Sequence, residues 1–177
     1  MEVFDQAISQ LTIPTPFAVG DVHVYIIKGD TLSLVDAGIK TKEAWEALTG
    51  QLKQLGYFPN DIEQIILTHH HPDHTGLIEQ FPRVKDIVAH KDVDLWIRRN
   101  ESFFQHYEQF FKDYFIACGV PSRFDHVLTN LRDPLHYAGT GELTRTLNEG
   151  DVLPGHDDWQ VIETKGHAQS HLSFFRE

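Results

Sequence analysis

The segment from Thr68 to Gly76, with the sequence THHHPDHTG, constrains the fold of this chain more than any other stretch. It places four histidines and an aspartate within nine residues. The apolar run IEQIIL precedes it and the sequence LIEQF follows it, so the segment is predicted to connect a strand to a helix inside a folded domain. Loops at such junctions converge outside the sheet, which predicts a binding site at one sheet edge.

The spacing within this segment favours a metal site. His69 and His71 are two residues apart, and they lie side by side only if the chain leaves extended geometry. Pro72 favours that change, because a proline restricts the preceding residue and breaks a strand. Asp73 and His74 then fall where a helix is predicted to begin. Imidazoles together with a carboxylate suit zinc, and they also suit iron or manganese.

The first ninety residues alternate between strand and helix patterns. The apolar sequences HVYIIKG and LSLVDAG predict two strands, and DIVAH predicts a further one. TKEAWEALTGQLKQLG has helical spacing of its apolar residues, and HTGLIEQF is predicted to form the next helix. This alternation predicts an α/β layer protein, and 177 residues are enough for a single domain with its own core.

The middle of the chain, from about residue 91 to about residue 145, is predicted to be a helical insertion. One helical stripe there carries seven aromatic side chains: Phe103, Phe104, Tyr107, Phe110, Phe111, Tyr114 and Phe115. Such a stripe usually packs against something. It is interpreted as core packing, as a lid over the metal site, or as the surface of a homodimer. Strand patterns return after it in LTRTL, WQVIETK and LSFF.

Composition narrows the class of partner and the compartment. The formal net charge of −11 and the pI near 5.4 argue against a general nucleic-acid or anionic-membrane binder, because no basic stripe is present. No apolar run approaches the roughly 18 residues of a membrane span, and the N-terminal sequence does not resemble a signal peptide. Cys118 is the only cysteine. These features predict a cytoplasmic protein that binds neither nucleic acid nor a membrane.

Three motifs, taken in order, resemble those of the metallo-β-lactamase superfamily. The signature His-x-His-x-Asp-His of that family is matched by His69, His71, Asp73 and His74. LVDAG resembles its second-strand motif, which ends in an aspartate, here Asp36. TKGHAQSH resembles its later histidine element, with His167 as the ligand. The surroundings favour the branch around glyoxalase II, and the resemblance implies an α/β (α+β) fold of the αββα sandwich type.

The resemblance also implies roles for these residues. His69, His71 and His167 would hold the first metal, and Asp73 and His74 would contribute to the second. Asp73 would also orient the nucleophile. Two more residues, Asp36 and His171, would support the ligands without binding metal themselves. The implied cofactor is one or two zinc ions. The implied activity is hydrolysis of a small-molecule substrate, a thioester, ester, lactone or phosphoester, by a metal-bound hydroxide.

The sequence also departs from the family pattern. A bridging aspartate and a last histidine are expected after LSFF, and neither is found before Glu177. We therefore expect a sandwich that is incomplete at its C-terminal end and a second metal site that lacks ligands. Two alternatives stay open: a metal-binding chain that is catalytically incomplete, and a mononuclear iron enzyme of the persulfide dioxygenase kind. Diiron oxygen reductases carry Glu where this chain has His71, which argues against that class.

Overall fold

The computed structural model describes residues 2–3 and 7–176, and two sheets form its centre. In the described residues the larger sheet contains, in spatial order, β1 (Glu2–Val3), β2 (Ile8–Ile13), β3 (Val22–Lys28), β4 (Leu32–Val35), β5 (Gln64–Ile66), β6 (Asp86–Ala89) and β7 (Arg145–Thr146). The smaller sheet contains β8 (Val152–Leu153), β9 (His156–Glu163) and β10 (Leu172–Phe175), with β9 in the middle.

Strand direction changes within the larger sheet. The strands from β1 to β4 pair antiparallel, whereas β4, β5, β6 and β7 run parallel to one another. In register, Val35 lies beside Ile66, and Ile66 lies beside Val88. The carboxyl ends of these parallel strands therefore meet at one edge, where the loops after them can converge.

Two hydrophobic cores divide the molecule into layers. One core lies between the sheets, where Val35 and Ile66 of the larger sheet pack with Val161 and Leu172 of the smaller one. The other core lies on the opposite face of the larger sheet, under α1 (Lys42–Gln54) and α3 (Lys91–Ile97). The layers are thus helix, sheet and sheet, and the predicted α/β sandwich is confirmed.

The sequence of α1 explains both where the helix begins and which face it buries. The side chain of Thr41 caps its first turn by accepting a hydrogen bond from the backbone of Ala44. Ala44, Leu48 and Leu52 recur at helical spacing and are fully buried against the sheet. The helix therefore covers the larger sheet on the face away from β8 to β10.

The segment from Lys91 to Leu131 is mainly helical, as predicted. It contains α3, α4 (Glu101–Ala117), α5 (Asp125–Thr129) and a 3-10 turn at Ser122–Phe124, and a second 3-10 turn follows at Asp133–Tyr137. Its aromatic stripe does not pack evenly, because Phe104 is 2% exposed whereas Phe110 is 60% exposed. Packing of the open part against a second copy stays a prediction, and so does the boundary of the insertion at residues 91–145.

Two local predictions differ from the structure. The helix expected at HTGLIEQF is only a short α2 (Pro72–Thr75) followed by a 3-10 turn at Ile78–Gln80. A Cβ at Gly76 would lie 2.2 Å from the backbone nitrogen of Lys40, so this turn is pressed against another loop. Strand β2 was not predicted, although its alternation buries Leu11 and Ile13 completely.

In the described ranges, no helix combines the length and the apolar character needed to cross a membrane.

Candidate metal centre

Loops from both sheets meet at the carboxyl edge of β4 and β5. The segment Thr68–His71 follows β5, and His167 lies on the loop between β9 and β10. A backbone hydrogen bond joins the loops, because the N–H of Leu172 donates to the carbonyl oxygen of Thr68 at 2.9 Å. The Oγ of Ser170 also lies 2.9 Å from a ring nitrogen of His70. Histidines that are distant in sequence are thus brought together at this edge of the sheets, which we call the rim.

Three histidine nitrogens converge at this rim. The Nε2 of His69 lies 3.0 Å from the Nδ1 of His71, and the latter atom lies 3.0 Å from the Nε2 of His167. All three atoms lie within 4.8 Å of one another. The predicted convergence of these residues is confirmed. His71 reaches this position because it ends the extended segment and Pro72 begins α2.

The hydrogen-bond network assigns the tautomer of His69. The hydroxyl of Thr68 donates to the carboxylate of Asp36 at 2.8 Å, so it has no proton left for the imidazole. The Nδ1 of His69 lies 2.9 Å from the same hydroxyl and must therefore be the donor. The lone pair of His69 then belongs to Nε2, the atom that faces His71. A metal ligand requires this arrangement.

The three nitrogens fit a small divalent cation. A tetrahedral zinc with bonds of about 2.0–2.1 Å holds its nitrogens roughly 3.3 Å apart, close to the 3.0 Å separations found here. Burial and the neighbouring histidines lower the pKa values of His69 and His71, so both rings are neutral at pH 7. Neutral imidazoles with lone pairs turned toward one point repel each other unless a cation or a proton lies between them.

Asp73 and His74 lie beside this group as a separate pair. The Nδ1 of His74 donates to the carboxylate of Asp36 at 2.8 Å, so its Nε2 carries the lone pair in the neutral ring. That Nε2 lies 3.7 Å from a carboxylate oxygen of Asp73, a separation that one cation can span. Burial disfavours the charged ring, but Asp36, together with Asp73, outweighs this effect and raises the pKa of His74.

Asp36 connects the segments of the rim through buried hydrogen bonds. Its carboxylate accepts hydrogen bonds from the backbone N–H and the hydroxyl of Thr68, and a further one from His74. Its own N–H donates to the carbonyl oxygen of Ile66 at 2.8 Å. Its φ of 59° is left-handed, a conformation that aspartate adopts more readily than most residues. Asp36 is 4% exposed and orients the ligand loop without facing solvent.

The two other histidines at the rim have partners of their own. The Nδ1 of His171 lies 2.8 Å from the hydroxyl of Thr164, and its ring lies 5.0 Å from that of His69. The ring of His70 stacks on Trp96 at 4.2 Å with an interplanar angle of 16°. Burial, followed by the neighbouring imidazoles of His71 and His167, lowers the pKa of His70 to about 3. The roles of Trp96 and Thr68 were not predicted from the sequence, because neither residue has a characteristic spacing.

Exposure increases across the ligand set. His69 is 2% exposed, His71 is half-buried, and His167 is exposed. The site therefore opens on the side of His167. A groove of about 450 Å³ lies on that side, and its lining includes His71, His167 and aromatic residues of α4.

Residues 18–177 match the family model of the metallo-beta-lactamase superfamily. The chain belongs to that superfamily. Membership agrees with the motif order and with the geometry of the three histidines. It applies to nine-tenths of the chain, including the whole rim described above.

Two relatives illustrate the range of proteins to which the chain is similar. The chain is 40% identical over 167 residues to the probable metallo-hydrolase YqjP of Bacillus subtilis (strain 168), covering 94% of this chain and 52% of that protein. It is 30% identical over 129 residues to the N-acyl homoserine lactonase AttM of Azorhizobium caulinodans, covering 73% of this chain and 41% of that protein. The chain thus spans about half the length of these relatives.

The fold has solved counterparts in the same superfamily. A metallo-beta-lactamase family protein of Thermus thermophilus, TTHA1429, superimposes with a TM-score of 0.79 at 25% identity. The match covers 98% of this chain and 57% of that one. The BJP-1 metallo-beta-lactamase of Bradyrhizobium japonicum superimposes with a TM-score of 0.63 at 20% identity, which shows the shared fold.

Proposed function

We propose that this chain carries the histidine metal site of a zinc-dependent hydrolase of thioesters, esters, lactones or phosphoesters. The observation that carries the proposal is the convergence of three imidazole nitrogens at a rim that opens to solvent on one side. A closed structural site uses four protein ligands, whereas three ligands leave a position for water or substrate. Iron and manganese suit the same ligands, so metal identity belongs to the test.

The chain's own residues have distinct roles in this proposal. His69, His71 and His167 hold the first metal, and Asp73 and His74 provide a weaker second position, because two ligands bind a divalent ion less tightly than three. When bound, the metal acidifies water and polarises the carbonyl or phosphoryl oxygen of the substrate.

Asp73 is the catalytic residue of the proposal. Its carboxylate is half-buried in the first turn of α2, two residues after His71, and one of its oxygens lies 3.7 Å from the Nε2 of His74. There it accepts a hydrogen bond from the attacking water and holds it toward the substrate, which is general-base positioning. Asp36 and His171 keep the ligand rings in place.

The relatives support acyl substrates, since one is named as a lactonase. A cytoplasmic location, suggested by the lone Cys118, is part of the proposal.

An Asp73→Asn variant tests this assignment. Turnover of ester, thioester and lactone substrates should fall about 10²- to 10⁴-fold, because the acceptor for the water proton is lost. The first metal should be retained, since its three histidines are intact. Turnover and elemental analysis after exhaustive dialysis are measured together, and we expect about one firmly held metal per chain.

Asp125→Asn is the matched control, because Asp125 is an exposed aspartate on α5 and should change neither quantity. Equal turnover of the Asp73→Asn variant and the native protein would remove the catalytic role of Asp73. A metal-loaded native protein that hydrolyses none of the substrates would favour the metal-binding alternative. Oxygen uptake by the iron-loaded protein with a persulfide substrate would favour the dioxygenase alternative.

A further inference from the structure

The groove beside the ligand histidines has a mostly aromatic wall. The wall is a continuous surface of four aromatic side chains: Trp96, Phe103, Tyr107 and Phe111. The ring centroid of Trp96 lies 5.2 Å from that of Phe103 and 5.2 Å from that of Tyr107. The centroids of Tyr107 and Phe111 are 4.8 Å apart. His71 and His167 line the same groove. A molecule in the groove would therefore lie against two of the three candidate metal ligands.

The wall is joined to the ligand loop through one stacked pair. Trp96 of α3 stacks on His70, which lies between the two ligands His69 and His71. The hydroxyl of Ser170 holds His70 from the other loop. The groove and the metal rim are thus parts of one site, and the position of α3 and α4 fixes the distance between them.

The charge of the groove limits what it can bind. In the part of the chain that the structure describes, the side chains lining it include no Asp, Glu, Lys or Arg. The protein as a whole has a formal net charge of −11. A carboxylate or phosphate placed along this wall would lose water and gain no cationic partner, which is costly. An apolar group would gain from leaving water.

The exposure of the aromatic wall to solvent also indicates that the groove binds a ligand. Phe110 lines the groove and is 60% exposed. Neighbouring aromatic rings that face solvent beside a polar site are typical of ligand-binding surfaces. The volume of about 450 Å³ falls within the range of small-molecule sites, and it is too small for a folded partner.

We propose that this groove binds an uncharged apolar group of the substrate, either an acyl chain or an aromatic ring, and holds the scissile bond at the three histidines. The hydrolase of the preceding subsection would then act on neutral hydrophobic esters, thioesters or lactones. Substrates whose bound portion carries a carboxylate or phosphate would be excluded. This inference rests on the proposed function, because it names the substrate class of that site.

Binding of a stable analogue series tests the groove without catalysis. The metal-loaded protein is titrated with butanamide, hexanamide and octanamide, and the fluorescence of Trp96 is followed. Affinity should rise about fourfold per added methylene group until the groove is filled. An analogue of octanamide's length with a terminal carboxylate should bind at least about tenfold more weakly. The signal should vanish in Trp96→Phe, although Trp45 and Trp159 remain.

Two variants on the same helix form a matched pair. Phe110 lines the groove, whereas Tyr114 is 54% exposed and lies outside it. Phe110→Ala should weaken octanamide binding about three- to tenfold. Tyr114→Ala should leave it within about twofold, because Tyr114 does not line the groove and contacts it only by stacking on Phe110, with ring centroids 6.0 Å apart. Both residues are exposed, so neither change should unfold the helix, and circular dichroism checks this.

Hydrolysis of p-nitrophenyl esters of increasing acyl length separates this inference from the proposed function. If binding depends on chain length but no ester is hydrolysed, the proposed hydrolase activity is wrong, whereas the assignment of the groove as an apolar binding site is retained. Hydrolysis that is independent of acyl length, or equal losses in Phe110→Ala and Tyr114→Ala, would overturn the groove assignment while the hydrolase stands.

Discussion

The two ends of β4 and β5 both carry polar groups between the sheets, but they use them differently. At the amino end, the hydroxyl of Ser33 lies 2.8 Å from the Nε2 of His156, and both residues are buried. At the carboxyl end, Asp36 and Thr68 hold His69 so that its lone pair faces other imidazoles. One end pairs its histidine, and the other turns several histidines toward a common point.

Room for a ligand also distinguishes the two ends. A Cβ on Gly29 would lie 2.5 Å from the Nδ1 of His156, so the amino end is packed shut around that ring. The carboxyl end opens through the exposed His167. The comparison shows that a buried histidine becomes a candidate ligand only when its unprotonated nitrogen faces other donors at an accessible position.

The largest expected difference is in metal affinity. His69→Ala should lower zinc affinity by at least about 10²-fold, because it removes one of three converging nitrogens. His156→Ala should leave the affinity within about twofold, although it opens a cavity at the closed end. Competition with a chromophoric chelator measures both. Similar losses in the two variants would mean that the ends do not differ as described.

Removing a hydroxyl at each end sharpens the comparison. Thr68→Val takes away the acceptor of the His69 N–H and the donor to Asp36, so zinc affinity should fall about 10- to 100-fold. Ser33→Ala leaves a buried ring nitrogen of His156 unpaired, so the free energy of unfolding should fall by about 1–3 kcal/mol. Zinc titration and urea denaturation are run on both proteins. A loss of zinc affinity in Ser33→Ala would contradict the assignment of roles.

The smallest effect is the pH dependence of stability at the closed end. Burial lowers the pKa of His156 from its ordinary value of 6.5, although Asp158 and Asp30 partly oppose the shift. The unfolded chain takes up a proton as pH falls below about 6.5, whereas the folded ring does not until its lower pKa is reached. The ring's contribution is therefore complete above 6.5 and is lost below it, at up to about 1.4 kcal/mol per pH unit.

Urea denaturation of the metal-free protein between pH 7.5 and pH 5 measures this slope. His69 and His71 have lowered pKa values as well and steepen the slope in the native protein. The His156→Gln variant isolates the contribution of one ring, and its slope should be shallower than that of the native protein. Parallel slopes would show that His156 does not titrate as its burial implies.

The sequence predicted the rim better than its surroundings, for a physical reason. His69, His71 and His167 occur in motifs whose local geometry is set within a few residues, by Pro72 and by strand ends. Strands β3 to β6 are short apolar runs that can be recognised without tertiary information. The α/β class therefore followed from local patterns, whereas the convergence of His167 with His69 and His71 was implied by the family resemblance.

Features that depend on distant contacts were not predictable. The tautomer of His69 depends on Thr68 and Asp36, which meet only in the folded chain. The shortness of α2 depends on the contact of Gly76 with a loop 36 residues earlier. Helical periodicity placed Phe104 and Phe110 on one stripe, but it could not show that one is buried and the other open.

The contact between His71 and His167 closes a loop of 96 residues, which contains α3, α4 and α5. The entropy lost on closing a loop grows only with the logarithm of its length, so doubling the loop costs about 0.6 kcal/mol. Helices can therefore be added, lengthened or exchanged inside this loop with little penalty to the meeting of its ends. In a chain built this way, the surface that selects a substrate can diverge while the metal rim stays the same.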